Sequence, residues 1–161
     1  MNVEDLARRL AEYNLAVELK PTTPDPHLEV PREILPQAAR LLRDDPDLAF
    51  DSLMCLSGLD RPDSLEVVYN LFSFKHLHKV TLKTRCPKDD PAIPTVSPLW
   101  PTADWHEREA YDLIGIQFTG HPDLRRILLP DDWEGHPLRK DYQAPALWHD
   151  IPVTNPSPTN E

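Results

Sequence analysis

Glycine is scarce in this 161-residue chain, with 4 against 19 prolines, so flexible turns and Gly-rich phosphate cradles have little to be built from. Its connections must be largely extended and stiff, which suits a chain laid along a partner. Cysteine is nearly absent. Cys55 and Cys86 stand in separate segments without close-spaced companions, too few for an iron–sulfur cluster or a structural zinc site. They are expected to be reduced, packed thiols of a cytosolic protein. No run of about 18 apolar residues occurs, and the opening MNVEDLARRL has acids where a secretory signal has its apolar centre, so neither a spanning helix nor a signal is expected. Cations are also in deficit, at 17 Lys and Arg against 27 Asp and Glu for a net charge of −10. A phosphate-backbone binder needs clustered cations, so nucleic acid is not an expected partner.

The length is that of one domain. Val3, Leu6, Ala7 and Leu10 recur at helical spacing and Tyr13 closes the stripe, which predicts an amphipathic helix that needs a sheet to lie on. Ala16 to Leu19 and His27 to Val30 are short strand candidates around a proline-punctuated loop. Ile34, Ala38, Leu41 and Leu42 predict a second helix over 31–44, starting near Pro36 because proline cannot donate inside a helix. Phe50 to Asp60 is read as a helical turn running into a strand near Leu56 to Leu59. Leu65 to Phe74 and His78 to Arg85 alternate and predict an antiparallel hairpin. Cys86 to Thr95 reads as loop. The resulting fold class is α+β, a small mixed or antiparallel sheet of about four strands packed with two helices, followed by a third short helix and an extended C-terminal strap. The expected organisation is a scaffold over 1–100, a signature helix and strap over 101–142, and an extended proline-rich tail over 143–161.

The densest information lies between Trp105 and Tyr142. Asp104 precedes Trp105 and Glu107 follows three residues later, an arrangement that predicts a capping box and a helix starting at Trp105. Gly115 is placed to close that helix at positive φ, with Ile116 to Phe118 as a short strand. Helical spacing puts Trp105, Arg108, Glu109 and Asp112 on one face, either as a solvated patch with an Arg108–Asp112 pair or as an ion network holding the strap. Leu124, Ile127, Leu128, Leu129, Trp133 and Leu138 are expected to bury, since each buried side chain contributes roughly 1.5 to 3 kcal/mol. Arg125-Arg126 and Arg139-Lys140 sit in a stretch, 103–142, with nine acids against five cations, so protein carboxylates fit them better than phosphate does. Trp105 and Trp133 are candidate anchors, of an interface or of the chain's own core. His106, His121 and His136 fall 15 apart, without the close spacing of metal motifs. His121 and His136 are each followed by proline and are expected to bond within turns. A metal-assisted hydrolase would have to gather His121, Asp123, His136 and Glu109 by folding, and a pure adaptor role stays open beside it.

Four segments in this stretch carry a resemblance. Trp105, Glu107, Arg108 and Glu109 form a Trp-x-Glu-Arg-Glu segment, and Asp112, Gly115 and Ile116 an Asp-x-x-Gly-Ile segment; GHPDLRRIL runs from Gly120 and PLRKDY from Pro137 to Tyr142. Together they resemble the signature of the 30-kDa subunit (the C-subunit) of respiratory complex I, the NADH:quinone oxidoreductase, specifically over 95–142 and more weakly over 28–94. The resemblance implies a non-catalytic structural or assembly subunit of the quinone-reducing module in the peripheral arm, supporting electron transfer from NADH to quinone. No catalytic, cofactor-binding or metal residue is implied in this chain; the complex would carry FMN, iron–sulfur clusters and quinone. The implied partners are the 49-kDa subunit (the D-subunit), the small cluster-bearing subunit (the B-subunit) and other peripheral-arm subunits. Membrane contact would come only through them, at the cytoplasmic face of the bacterial inner membrane. The implied interface residues are Trp105, Glu107, Arg108, Glu109, Asp112, Gly115, His121, Pro122, Asp123, Arg125, Arg126, Trp133, Pro137, Leu138, Arg139, Lys140 and Asp141. Related complexes fed by ferredoxin or F420, and membrane-bound hydrogenases, share the signature and form the alternative assignment.

Overall fold

The computed structural model describes residues 2–22 and 24–153. Helix α1, Val3–Glu12, begins where the Asn2 side chain accepts the Asp5 amide at 2.7 Å and buries Leu6 and Leu10. Helix α2, Leu35–Asp44, has Pro36 in its first turn, where a missing N–H costs nothing, and buries Leu35, Ala38, Ala39 and Leu42. Between and after them run β1 (Glu18–Lys20), β2 (His27–Glu29), β3 (Ser52–Asp60), β4 (Ser64–Ser73) and β5 (His78–Pro87). These make one mixed sheet in the order β1-β2-β5-β4-β3, with β2 parallel to β5 and the other neighbours antiparallel. Leu65, Val67, Tyr69 and Leu71 of β4, with Val80 and Leu82 of β5, share a single buried cluster with residues of the helices.

The sheet has five strands rather than four, because β1 and β2 both join it. Residues 50–60 contain no helical turn. β3 runs the full nine residues, and a bulge beside Met54 shifts its register, so that Leu53 and Leu56, three apart, both turn inward and imitate a helical period. The 86–95 segment is not all loop. β5 continues to Pro87, and β6 (Ala92–Pro94) pairs in parallel with β7 (Gln117–Thr119), setting Ile93 beside Phe118. Helix α3, Ala103–Ile114, is the longest of the three, at twelve residues, and lies against β3. Gly58 allows this approach: a Cβ there would stand 3.1 Å from Ala110 Cβ and Ile114 Cδ1. The tail is not simply extended. β8 (Leu147–Trp148) and β9 (Ile151–Pro152) form a hairpin turned by His149 and Asp150, both at positive φ. The tail from 154 onward lies outside the described residues.

Candidate functional site

Helix α3 starts two residues earlier than the capping pattern predicts. Its N-cap is Thr102, in a helical conformation and without a side-chain cap, so Asp104 lies inside the first turn and Glu107 cannot reach back to it. Glu107 instead turns inward. Its carboxylate is fully buried, accepting the Val96 amide at 2.8 Å and the Thr95 hydroxyl. Burial pushes its pKa up to about 7, against the lowering effect of those two bonds. His121 completes this pocket, with Nδ1 accepting the Asp123 amide at 3.0 Å and Nε2 3.8 Å from Glu107. The Asp123 bond is the turn bond expected of it.

The C-terminal end of α3 carries the centre of the site. Gly115 closes the helix at φ +84, as its position predicts, and its amide donates to Tyr111. One turn before it, the buried Asp112 carboxylate gathers the strap. Oδ2 accepts the amides of Ile127, Leu128 and Leu129 at 3.0, 2.7 and 3.0 Å, and Oδ1 accepts Arg126 Nη1 at 2.7 Å. Burial alone would raise the Asp112 pKa, but these bonds outweigh it and hold the carboxyl below its usual value. Arg126 reaches further, donating to the carbonyls of Asp112, Trp133 and Gly135. His136 adds Nδ1 to the Asp112 carbonyl at 2.9 Å, a longer-range bond than the turn contact expected for it, and the Leu138 amide donates to Leu113. Asp112 therefore pairs with Arg126, not with Arg108.

Arg108 is buried along a different line. It donates to the Arg125 carbonyl at 3.3 Å, lies 3.8 Å from Asp104 and sits over the Trp105 ring at 5.1 Å. The expected polar face is thus divided: Arg108 and Asp112 are inside, whereas Glu109 is exposed and Trp105 is 64% exposed. Trp105 does not complete the chain's own core. Trp133 is half-buried, donating to Tyr142 Oη and packing near Trp148. The remaining cations are used in cis, Arg125 on Asp123 at 2.9 Å and Arg139 on Asp141 at 3.1 Å. Lys140 acts through its backbone, whose amide donates to Asp60 at 2.7 Å, while Lys88 holds the other Asp60 oxygen. Pro122 is exposed and Pro137 half-buried, each beside its histidine. The expected burial of the strap's apolar residues is met only in part: Leu124 packs against the core and Ile127, Leu129 and Trp133 are half-buried, whereas Leu128 and Leu138 are about 60% exposed.

Asp60, Thr95 and Val96 carry much of this arrangement and were not legible as part of it, since each meets the strap or α3 only through folding. The hydrolase quartet is not assembled. His121 is turned into the Glu107 pocket and His136 onto the Asp112 carbonyl. Among the described residues no group of three His, Cys, Asp or Glu is placed to share a metal ion.

Residues 28–146 match the family described as the respiratory-chain NADH dehydrogenase 30 Kd subunit. The NADH-quinone oxidoreductase C-subunit of Chloroherpeton thalassium is 56% identical over 117 residues, 71% of this chain and 49% of that protein. The chain therefore spans about half of that relative's length. The C-subunit of Chlorobium phaeobacteroides is 53% identical over 73% of each chain, and that of Herpetosiphon aurantiacus 48% identical over 93% of this chain and 88% of the relative. Among solved structures, a trypsin-resistant fragment of Nqo5 aligns with 77% of this chain and all of its own at TM-score 0.62 and 31% identity. A chain of an archaeal respiratory complex, the membrane-bound sulfane sulfur reductase, aligns at TM-score 0.72 and 25% identity over 87% of this chain and 85% of its own.

Proposed function

The chain belongs to the respiratory-chain NADH dehydrogenase 30 Kd subunit family, and from that premise we propose that it is a non-catalytic assembly subunit of the quinone-reducing module in a proton-translocating NADH:quinone oxidoreductase. It sits in the peripheral arm, at the cytoplasmic face of the bacterial inner membrane, and docks on the 49-kDa subunit with the small cluster-bearing subunit nearby. The FMN, iron–sulfur clusters and quinone belong to other subunits. Its scaffold is 1–100; the helix and strap over 101–142 form its docking face, and the tail follows.

One observation carries the reading. The buried charges of the signature are spent on holding the strap to α3, while Trp105, Leu128 and Leu138 stay largely exposed on the same region. Exposed Trp and Leu beside a rigid frame have the composition of an interface core, where aromatic anchors dominate binding energy. No helix among the described residues is long and apolar enough to cross a membrane. A second reading, the corresponding subunit of a related membrane complex with another electron donor, is favoured by the likeness to the sulfane sulfur reductase chain.

The test is recovery of the full chain from its native membranes in mild detergent. Co-purification with a quinone-site subunit and iron–sulfur proteins is expected, and flavin-bearing subunits among them separate the first reading from the second. Recovery as a lone chain overturns both. Arg139→Glu, which sets a third carboxylate beside Asp141 and Asp60, should reduce assembly of the complex; normal assembly with lost turnover would refute the strap's docking role.

A further inference from the structure

The two edges of the five-stranded sheet differ in their protection. β1 is three residues long and carries Glu18 and Lys20. Shortness and charge are two means by which an edge strand avoids pairing with another chain. β3, at the opposite edge, is nine residues long and holds no charged residue and no proline before Asp60. In an antiparallel pair, half of an edge strand's N–H and C=O groups point away from its one neighbour. The bulge beside Met54 disrupts the start of this edge. At its end, Asp60 is occupied by the Lys140 amide and Lys88. The open run is Cys55 to Leu59.

Beside that run lies a groove of about 280 Å³ between β3 and α3, with Leu113 and Leu138 as apolar walls and Glu109 at its side. This is below the range of about 300 to 1,000 Å³ typical of small-molecule pockets, and it offers room for a few side chains rather than a helix. Glu109 is exposed and has no ion-pair partner among the described residues, while its neighbour Arg108 is turned inward to the Arg125 carbonyl. Of the residues lining the groove Glu109 is the one carboxylate, with His106 one turn before it on the same helix. Leu138, 59% exposed, continues the groove into the strap.

We propose that this edge is a strand-addition site: an extended segment of a partner subunit pairs its backbone with Cys55 to Leu59, places apolar side chains against Leu113 and Leu138, and sets a Lys or Arg against Glu109. Backbone bonds supply the attachment, and the alternate side chains and the Glu109 pairing supply selectivity. The inference rests on the chain being part of a larger assembly, and it adds to the strap face an edge that the signature does not contain.

Hydrogen exchange of the full chain, alone and within the assembly purified in mild detergent, tests it. Those amides of 55–59 that point away from β4 should exchange about tenfold or more slowly in the assembly. Glu109→Lys should remove much of that protection, and Glu109→Gln should keep most of it. Unchanged exchange at 55–59 with new protection at 125–142 overturns the edge proposal and leaves the strap docking intact. Protection already present in the isolated chain and rising with its concentration also overturns it, by making a second copy the occupant. If neither segment gains protection, the assembly reading fails and this inference fails with it.

Discussion

Replacing Glu107 by Gln should flatten the pH dependence of stability across the window from about pH 4.5 to 7 and stabilise the chain at pH 8. Glu107 is buried and accepts only the Val96 amide and the Thr95 hydroxyl. Asp104, of like charge, faces it, Tyr69 is a buried neighbour, and the His121 Nδ1 accepts the Asp123 amide. Burial therefore dominates and moves its pKa from 4.5 to about 7. The folded chain keeps this proton up to about pH 7, whereas the unfolded chain loses it near 4.5. Between these values the native state binds more protons, so stability falls as pH rises; the contribution is complete below the lower value and lost above the upper one. The gap corresponds to an upper limit of about 3 kcal/mol. Gln keeps the shape and an acceptor for Val96 but has no charge to desolvate. Urea unfolding of both proteins at pH 5, 6, 7 and 8 measures the difference, with equal m-values as the control. The carboxyls held low, Asp112, Asp60 and Glu66, act at the acid side of this window and cancel in the comparison. Curves that stay parallel from pH 5 to 8 would refute the argument.

Gly115→Ala places a Cβ 2.6 Å from His136 Cδ2 at a φ of +84, so it should cost about 1 to 2 kcal/mol in backbone strain and open the strap to limited proteolysis around 121–142. An unchanged melting temperature with an unchanged cleavage pattern would show that His136 does not seal the helix end. Tyr69→Phe removes a buried hydroxyl that has no hydrogen-bond partner. Stability should hold or rise by up to about 1 kcal/mol, and a comparable loss in thermal or urea unfolding would reveal a bond to that oxygen.

The regular part of the fold was largely legible because its periods are undisturbed. β4 and β5 alternate over ten residues each, and Leu6 with Leu10, or Ala38 with Leu42, mark the buried stripes of α1 and α2. Legibility failed where a local device broke the period. The bulge beside Met54 hid the first half of β3, and the three-residue β6 is too short to alternate visibly. At the site, residue types alone did not distinguish inside from outside. Asp112 and Glu109 are three residues apart on one helix, yet the first is buried beneath the strap and the second stands in solvent. Their difference depends on where the chain returns after Gly120, which no helical period encodes. Asp60 was missed for the same reason, lying 80 residues before its Lys140 partner.

The strap from 119 to 142 poses an energetic problem that its charged residues resolve. Ordering a residue's backbone costs roughly 1 to 2 kcal/mol, and a strap that packs Leu124 on the core but has no fully buried apolar residue and no long ladder offsets only part of this through hydrophobic burial. Three successive amides, 127 to 129, instead converge on one Asp112 oxygen, an anion nest closed by a side chain of the same chain. Arg126 then ties the carboxylate to the Trp133 and Gly135 carbonyls, and Asp60 captures the strap's far end at Lys140. Because polar bonds do the fastening, the leucines at 128 and 138 need not turn inward. A strap fastened by its own hydrophobes would have no apolar surface left to offer. Here the division of labour follows chemistry: charges close the chain on itself, and Leu128 and Leu138 remain largely exposed.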